Sequence, residues 1–273
     1  MRLTILGSAA GEGVPALFCV CATCQEARRR GGRDLRHRTA YLWDDVLVDL
    51  GPDLYCSTLA HSLDLAPVRH VLITHTHGDH FLPEQLLYRR PGFLVLPPGA
   101  HLTVHGNDHV GRALEALEPP LAHLQAEFRL ARVGQDIDLG AGHSALPLRA
   151  AHDHQEECFL YLLRSPAAAI LIANDSDWWP DETWERLAPE HLDVAIIDCT
   201  YGVSGKHGGH LGAPEVIRAA RELRRLGVLP AAKRVIANHF AHDGRCLQAD
   251  LEACLAPEGI EVGYDGMVVE IGE

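Results

Sequence analysis

Thr74-His75-Thr76-His77-Gly78-Asp79-His80 is the most informative stretch of this sequence. It follows the apolar run at residues 71–73, which predicts that it forms the loop at the end of a β-strand. Loops at strand ends are where a rigid scaffold presents chemical groups. Its imidazoles and carboxylate are the nitrogen and oxygen ligands that Zn²⁺, Mn²⁺ or Fe²⁺ accept. We interpret the stretch as a metal-binding loop, with an accidental cluster of surface histidines as the alternative.

Two metal ions are indicated, because His75 and His77 can point one way while Asp79 and His80 point another. Two ions need more ligands than one loop supplies. Further candidate ligands come directly after apolar β-runs later in the chain: Asp175 after residues 168–173, His239 after 235–237, and His152 and His154 after the run ending at 150. Because groups that follow strands gather at one edge of a sheet, we expect them to meet the loop.

The composition is that of an ordinary globular protein: 273 residues, 47% hydrophobic and 22% charged. The apolar runs are too short to predict a transmembrane helix. Residues 1–7 read as a strand entering a glycine turn rather than as a secretory signal, so we expect a cytoplasmic protein. A net charge of −13 disfavours nucleic-acid binding, which needs a broad basic surface. A small phosphorylated substrate stays compatible, because bound cations reverse the local field.

Hydrophobic periodicity predicts one α/β domain over residues 1–273, with two packed sheets. The predicted strands are residues 2–6, 39–43, 46–49, 68–74, 92–96, 101–105, 127–131, 145–150, 158–164, 168–173, 193–198, 234–237, 260–263 and 267–271. The predicted helices are residues 25–31, a segment from about 53 to 61, 108–117, 184–187, 213–226 and 246–255. We expect the last two strands to pair with each other around Asp265-Gly266.

The H-x-H-x-D-H loop, a downstream histidine, Asp175 and then His239 resemble the pattern of the dinuclear metallo-β-lactamase-fold hydrolases. The resemblance covers nearly the whole chain and implies a four-layer αββα sandwich. It also implies two divalent ions in the active site, Zn or Mn with Fe as an alternative. The implied ligands are His75, His77 and His152 (His154 is its rival) for the first ion, and Asp79, His80 and His239 for the second, with Asp175 bridging and Asp79 also a catalytic candidate.

Three cysteines at C-x-C-x-x-C spacing, Cys19, Cys21 and Cys24, form a second candidate site. Their thiols can occupy three corners of a tetrahedron around Zn²⁺, and the fourth ligand must come from elsewhere. The trio, the loop at residues 7–15 and the tail at 263–267 resemble the PhnP-type cyclic phosphodiesterases of the carbon–phosphorus lyase pathway. That resemblance implies a structural zinc completed by His242, which pins an N-terminal loop over residues 7–38. A metal-free trio or a redox site is the alternative, and the other cysteines are expected to be small buried hydrophobes.

The Gly-rich loop at residues 205–210 carries His207 and His210, and a histidine on a mobile loop over a metal site suits a general acid. The PhnP-type resemblance gives that role to His210, with an ordinary exposed loop histidine as the alternative. Asp49 and Asp198 follow predicted strands and are expected to orient ligand histidines, or alternatively to cap turns. The arginines between residues 28 and 38 form a basic patch, which we interpret as a solvated helix face or a site for a substrate phosphate.

These features predict a metal-dependent hydrolase, in particular a phosphodiesterase acting on a small cyclic phosphodiester such as a phosphoribosyl cyclic phosphate. Two cations roughly 3.5–4 Å apart would activate a bridging hydroxide, and His210 would protonate the leaving alkoxide. Three alternatives stay open. They are hydrolysis of a thioester or lactone, tRNA 3′-end processing (although we find no protruding basic arm), and a role like that of the pyrroloquinoline-quinone biosynthesis proteins, whose motif loop is degraded. The expected partner is a small phosphorylated substrate; a homodimer is an open alternative, and neither a membrane nor nucleic acid is expected.

Overall fold

Two β-sheets of seven strands each lie at the centre of the computed structural model, which describes residues 2–206 and 208–271. The first sheet holds, in spatial order, β14 (Val268–Glu270), β1 (Arg2–Gly7), β2 (Ala40–Trp43), β3 (Val46–Val48), β4 (His70–Leu72), β5 (Leu102–Gly106) and β6 (Ala126–Leu130). The second holds β13 (Ile260–Val262), β12 (Arg234–Asn238), β11 (Val194–Asp198), β10 (Ala169–Ala173), β9 (Phe159–Arg164), β8 (His143–Arg149) and β7 (Ile137–Gly140).

The helices are short and lie outside the sheets. They are α1 (Ala22–Arg30), α2 (Leu54–Ala60), α3 (Asp108–Glu115), α4 (Asp181–Leu187), α5 (Ala213–Arg225) and α6 (Gln248–Leu255). The 3₁₀ turns are Gly32–Asp34, Pro83–Arg89, Leu121–Leu124, His242–Gly244 and Ala256–Glu258. In the described part of the chain, none of these helices has the length and apolar content that crossing a bilayer requires.

Hydrophobic packing arranges these elements in four layers. Tyr41 of the first sheet and Tyr161 of the second belong to one buried cluster between the sheets. Val110 of α3 packs on the outer face of the first sheet, and Val216 of α5 packs on the outer face of the second. The order helices, sheet, sheet, helices confirms the expected α/β four-layer αββα sandwich. The extent of the domain over residues 1–273 stays a prediction.

Strand direction decides where the site forms. In the second sheet β10, β11, β12 and β13 are parallel neighbours, and in the first sheet β3, β4, β5 and β6 are parallel. The carboxyl ends of parallel neighbours lie at the same edge of a sheet, so the loops that follow them come together. These are the loops in which the sequence places its candidate ligands.

One predicted strand and one predicted strand pairing are wrong. Residues 92–96 form no strand; the segment makes only an isolated bridge between Pro91 and Leu94 and runs into two prolines, which lack the N–H that a strand ladder needs. The last two strands do not pair with each other, because β13 joins the second sheet beside β12 and β14 joins the first beside β1. The connection at residues 263–267 crosses between sheets instead of forming a hairpin. Strand β7 was not predicted.

Candidate metal centre

The loops that follow the parallel strands bring the predicted ligands to one edge of the sandwich. The motif loop follows β4, Asp175 follows β10 by two residues, and His239 follows β12 directly. The motif loop also lies against the end of β3, where a Cβ on Gly51 would meet the backbone oxygen of Asp79 at 2.0 Å. Only glycine allows so close a backbone approach, which explains this residue type at the position.

His75, His77 and His152 form the first group of candidate ligands. One ring nitrogen from each lies within 4.8 Å of the others, and His152 Nε2 is 3.2 Å from His77 Nδ1. His75 is buried, whereas His77 is exposed at the mouth of the site. His154 is exposed and lines a different depression beside Arg149. The structure therefore places His152, rather than its rival His154, next to the motif loop.

Asp79, His80 and His239 form the second group, with ligand atoms also within 4.8 Å of one another. Asp175 lies between the two groups. Its Oδ2 is 2.7 Å from His80 Nε2 and 3.1 Å from His239 Nε2, while its Oδ1 is 3.8 Å from His152 Nε2. Its two oxygens thus face different groups, which is the position that a bridging carboxylate requires.

Several buried ligand atoms at this centre lack a hydrogen-bond partner among the described residues: His75 Nε2, His80 Nε2, His239 Nε2 and Asp175 Oδ2. The 2.7 Å approach of His80 to Asp175 is short but lacks hydrogen-bond geometry. Buried polar atoms in native proteins are normally hydrogen-bonded. Four such atoms without a protein partner at one centre therefore indicate a binding partner that is not part of the chain. Imidazole nitrogens and carboxylate oxygens suit Zn²⁺, Mn²⁺ or Fe²⁺. The residues present therefore fit a pair of divalent cations.

Negative charge is concentrated around His80. Burial alone would lower the pKa of His80, but the carboxylates of Asp175, Asp79 and Asp49 raise it well above the ordinary value. For His75, burial and the neighbouring positive charge of His80 lower the pKa well below the ordinary value. The charge that favours a proton on His80 equally favours a divalent cation in its place.

Asp49 holds the outer edge of the His80 ring. Its Oδ2 lies 2.6 Å from His80 Nδ1, and its Oδ1 accepts the backbone N–H of Thr74 at 2.9 Å. The far nitrogen of His80, Nε2, is thereby directed at the centre, as in the carboxylate–histidine pairs of metal sites.

Three residues at the centre have unusual backbone conformations: Asp49, Asp175 and His239 have positive φ values of 67°, 49° and 65°. Non-glycine residues seldom adopt this left-handed region, and such backbone strain concentrates at functional sites.

His210 reaches the centre from the Gly-rich loop. Its Nδ1 is 2.8 Å from Asp198 Oδ2; burial opposes its charge, yet the negative charge of Asp198 raises its pKa to about 9. The hydroxyl of Thr200 donates to Asp198 Oδ1 at 2.7 Å and lies 2.8 Å from His239 Nδ1. His210 and Asp198 are also near enough to Asp175 and His239 to share an ion with them. His207, in the same loop, lies outside the described residues.

Three residues that contact the ligand-bearing loops carry no signal in the sequence: Thr200, Tyr41 and Glu156. Thr200 holds His239 and Asp198 together. The buried hydroxyl of Tyr41 accepts hydrogen bonds from Asn174 and Asn238. Glu156 accepts hydrogen bonds from the motif loop. None of these residues belongs to a ligand pattern or a spacing, so only the folded chain shows what they touch.

A cavity of about 360 Å³ opens over the centre. Besides the candidate ligands it is lined by Glu12, Thr200, Tyr201, Lys206, Asp243 and residues 10, 11 and 241. Lys206 is the one lysine or arginine among the described lining residues, and it forms an ion pair with Asp243. Glycines at positions 205, 208 and 209 have positive φ, so the loop that carries Lys206 is built on residues with unusual backbone freedom.

The cysteine trio meets His242, as the fourth candidate ligand. All four ligand atoms lie within 4.8 Å of one another, and His242 Nδ1 is 3.7 Å from Cys19 Sγ and 3.5 Å from Cys21 Sγ. A tetrahedral zinc with bonds of about 2.0–2.3 Å has edges of roughly 3.3–3.8 Å, so these separations fit a zinc ion. Burial raises the pKa of Cys21, but N–H donation from Cys24 and the contact with His242 lower it overall to about 6.

The other five cysteines are not all buried, which corrects the expectation for them. Cys158, Cys199 and Cys246 are buried, but Cys254 is half-buried and Cys56 is exposed on α2. Helix α2 turns Leu54 and Ser57 inward and leaves Cys56 toward solvent. All eight cysteines are free thiols.

The basic patch between residues 28 and 38 is largely occupied by protein groups. Arg29 and Arg30 pair with Glu26 at 2.5 and 2.7 Å. Arg28 donates to the backbone oxygen of Cys19 at 2.8 Å. Arg36 is buried and donates to Ser8 Oγ at 2.8 Å, and Arg38 pairs with Asp53 at 2.8 Å. The patch therefore holds the N-terminal loop in place, and most of its cations are not free for a phosphate.

Comparison with known proteins agrees with this geometry. A family model described as beta-lactamase superfamily domain matches residues 44–240. Coenzyme PQQ synthesis protein B of Ruegeria pomeroyi is 26% identical over 98% of this chain and 99% of its own length. A crystal structure of a diphosphatase from the PhnP family superposes with a TM-score of 0.75 at 25% identity, covering 100% of this chain and 99% of the other. Zn²⁺-bound PqqB from Methylobacterium extorquens has a TM-score of 0.73 at 16% identity, covering 99% and 100%, which shows a shared fold.

Proposed function

Because this chain belongs to the metallo-β-lactamase-fold hydrolase superfamily, we propose that it is a dinuclear metal-dependent phosphodiesterase for small anionic substrates. The observation that carries the proposal is the convergence of two histidine-rich ligand groups on Asp175, with buried ligand atoms left unpartnered beneath an open cavity. We assign the first ion to His75, His77 and His152, and the second to Asp79, His80 and His239, bridged by Asp175. A structural zinc is assigned to Cys19, Cys21, Cys24 and His242.

The chain's own residues supply the rest of the chemistry. When bound, two divalent cations activate water and stabilise the negative charge that builds on the reacting phosphoryl group. Asp198 holds the Nδ1 edge of His210, so Nε2 is free to give a proton to the leaving oxygen. Lys206 lies beside the cavity and pairs with Asp243. When an anionic substrate binds, the Lys206 ammonium leaves Asp243 and pairs with the substrate instead.

Size and charge limit the substrate. A cavity of about 360 Å³ accommodates a small molecule rather than a polymer, and the net charge of −13 opposes nucleic acid. A protein of similar structure is named a diphosphatase of the PhnP family. We therefore assign the substrate to small phosphate compounds: phosphodiesters, cyclic ones included, and diphosphate esters.

A second candidate function is a step in the synthesis of coenzyme PQQ. The observation in its favour is full-length similarity to two curated PQQ synthesis proteins B, at 26% and 27% identity. The two candidates differ in their expected activity, because a phosphodiesterase turns over simple phosphate esters, whereas a protein dedicated to coenzyme PQQ synthesis is not expected to do so.

The test combines metal analysis with a substrate panel. Metal per chain is measured by mass spectrometry, and turnover is measured on bis(p-nitrophenyl) phosphate, a cyclic phosphodiester, a diphosphate ester, a thioester and a lactone. We expect three ions per chain and turnover confined to the phosphate esters. His210→Ala should lower turnover about 10²–10⁴-fold with unchanged metal content, whereas His154→Ala, the matched control, should leave both unchanged. Turnover of the thioester or lactone alone, or full activity of His210→Ala, contradicts the proposal.

A further inference from the structure

The carboxylate of Glu156 joins two segments that are far apart in the chain. Its Oε1 accepts the backbone N–H of Thr76 at 3.0 Å and the Thr76 hydroxyl at 2.8 Å. Its Oε2 accepts the side-chain amide of Asn107 at 2.7 Å. Thr76 and Glu156 are separated by 80 residues in sequence, so these bonds link the motif loop to the connection between β8 and β9.

Both linked segments carry candidate ligands of the first ion. Thr76 stands between His75 and His77, and Glu156 stands four residues after His152 in the same connection. The hydrogen bonds at Glu156 therefore contribute to the distance between the His75–His77 pair and His152. Two other contacts link the same parts of the chain: His77 Nε2 lies 3.3 Å from Asp153 Oδ2, and the Phe159 N–H donates to the Thr74 backbone oxygen at 3.0 Å. The second group depends on other contacts, since Asp49 holds His80 and Thr200 holds His239.

The carboxylate is itself anchored to a rigid element. Asn107 caps helix α3 by accepting the backbone N–H groups of His109 and Val110 at 2.8 and 3.0 Å. With its amide it donates to Glu156 and, at 2.9 Å, to the backbone oxygen of Glu157. The α3 cap, the motif loop and the β8–β9 connection thus meet at one side chain.

The donor pattern suits a side chain that accepts hydrogen bonds at both of its terminal atoms. Three groups donate to Glu156: the Thr76 N–H, the Thr76 O–H and the Asn107 amide. An ionised carboxylate accepts at both oxygens and donates at neither. A glutamine at this position would turn its NH₂ toward either Asn107 or Thr76 and lose part of the bridge. Alanine would lose all of it.

We propose that Glu156 is a positioning residue for the first metal ion, an inference that rests on the metal pair of the proposed function. It sets the spacing between the His75–His77 pair and His152, and so determines the affinity for that ion. Partners that orient metal ligands contribute about 10–100-fold to metal affinity. The expected defect is selective: the first ion is weakened, while the second ion and the cysteine site keep their affinities.

The experiment titrates metal-free, full-length protein with Co²⁺ and follows two absorbance signals. The thiolate-to-cobalt charge-transfer band reports the cysteine site. The histidine and carboxylate sites are followed by the visible d–d bands in a Cys21→Ser background, because Co²⁺ at the cysteine site has d–d bands of its own. Wild type is compared with Glu156→Ala, Glu156→Gln and Glu157→Ala. The last is the matched control, because the neighbouring Glu157 carboxylate pairs instead with Arg149 at 3.2 Å. Circular dichroism and thermal unfolding establish that each variant is folded.

We expect Glu156→Ala to weaken one histidine-site Co²⁺ about 10–100-fold, Glu156→Gln to weaken it less, and Glu157→Ala to match wild type. The thiolate band should titrate identically in all four proteins. The proposal is overturned if the folded Glu156→Ala and Glu156→Gln variants titrate like wild type, or if their cysteine site weakens to the same extent. Wild type that binds Co²⁺ only at the cysteines rejects the metal pair itself, which is a different result from a wild-type pair that is insensitive to Glu156.

Discussion

Replacing Tyr41 by phenylalanine tests the hydrogen bonds that tie the ligand-bearing strands to the opposite sheet. Tyr41 is fully buried on β2 of the first sheet. Its hydroxyl accepts the side-chain amides of Asn174 and Asn238, the latter at 2.8 Å. These two residues directly precede Asp175 and His239 in the second sheet. One hydroxyl therefore fixes the ends of both β10 and β12.

The magnitude follows from the number of groups left without a partner. Tyr41→Phe keeps the ring and its packing but removes the one atom that both amides contact. A buried donor that loses its partner costs about 1–3 kcal/mol. Because two amides share one hydroxyl and each has some freedom to relax, we expect a total loss of about 2–4 kcal/mol in the free energy of unfolding.

The assay is urea unfolding at equal metal content, with Tyr161→Phe as the matched control. Tyr161 is also fully buried, but its hydroxyl donates one hydrogen bond, to the backbone oxygen of Ile73 at 2.9 Å. We expect the control to lose about 1 kcal/mol. A loss below about 0.5 kcal/mol for Tyr41→Phe, or a loss no larger than that of Tyr161→Phe, would refute this reasoning.

Three further predictions concern other parts of the molecule. Cys21→Ser should remove one metal ion per chain, measured by mass spectrometry, and leave the histidine-site metals in place; unchanged metal content would argue against the cysteine site. Burial and the charge of His70 hold the pKa of His105 at about 4 against an ordinary 6.5. Between pH 6.5 and about 4, His105 in the unfolded chain binds a proton that His105 in the folded chain does not bind. The free energy of unfolding therefore falls by up to about 3 kcal/mol as the pH is lowered through this range. His105→Gln should flatten the pH dependence of urea unfolding by that amount, and an identical slope would contradict the burial argument. Lys206→Met should raise KM for an anionic phosphodiester about 10-fold with little change in kcat, whereas Lys206→Arg should stay near wild type; a fall in kcat alone would contradict a role in binding.

Most strands were predictable because burial leaves a local pattern. The apolar run at residues 168–173 and the alternation at residues 2–6 match β10 and β1 closely. Strand β7, Ile137–Gly140, escaped prediction because it is a short edge strand with two exposed residues. The segment at 92–96 has residue types that favour a strand, but it runs into prolines, which cannot donate to a strand ladder. The prediction followed the residue types and neglected this limit on pairing.

Strand pairing was harder to predict than strand position. The turn at Asp265-Gly266 favours a hairpin by its residues, yet Gly263 N–H donates to Ala237 in one sheet and Gly266 N–H donates to Ile5 in the other. A turn signal describes a few residues, whereas the choice of partner strand depends on what the whole sheet buries. The sequence could not distinguish a hairpin from a crossover at this point.

Residue type and local spacing were enough to predict candidate metal ligands. His75, His77, Asp79 and His80 stand together after one strand, and the cysteine trio stands in one short loop. The folded chain was needed to place His152, rather than His154, beside the motif loop and to bring His242 to cysteines up to 223 residues away from it. It also shows the hydrogen bonds that Glu156 and Tyr41 make near the candidate ligands. The physical reason is that ligands in one loop share a local spacing, whereas contacts across 80 to 223 residues exist only once the two sheets have packed.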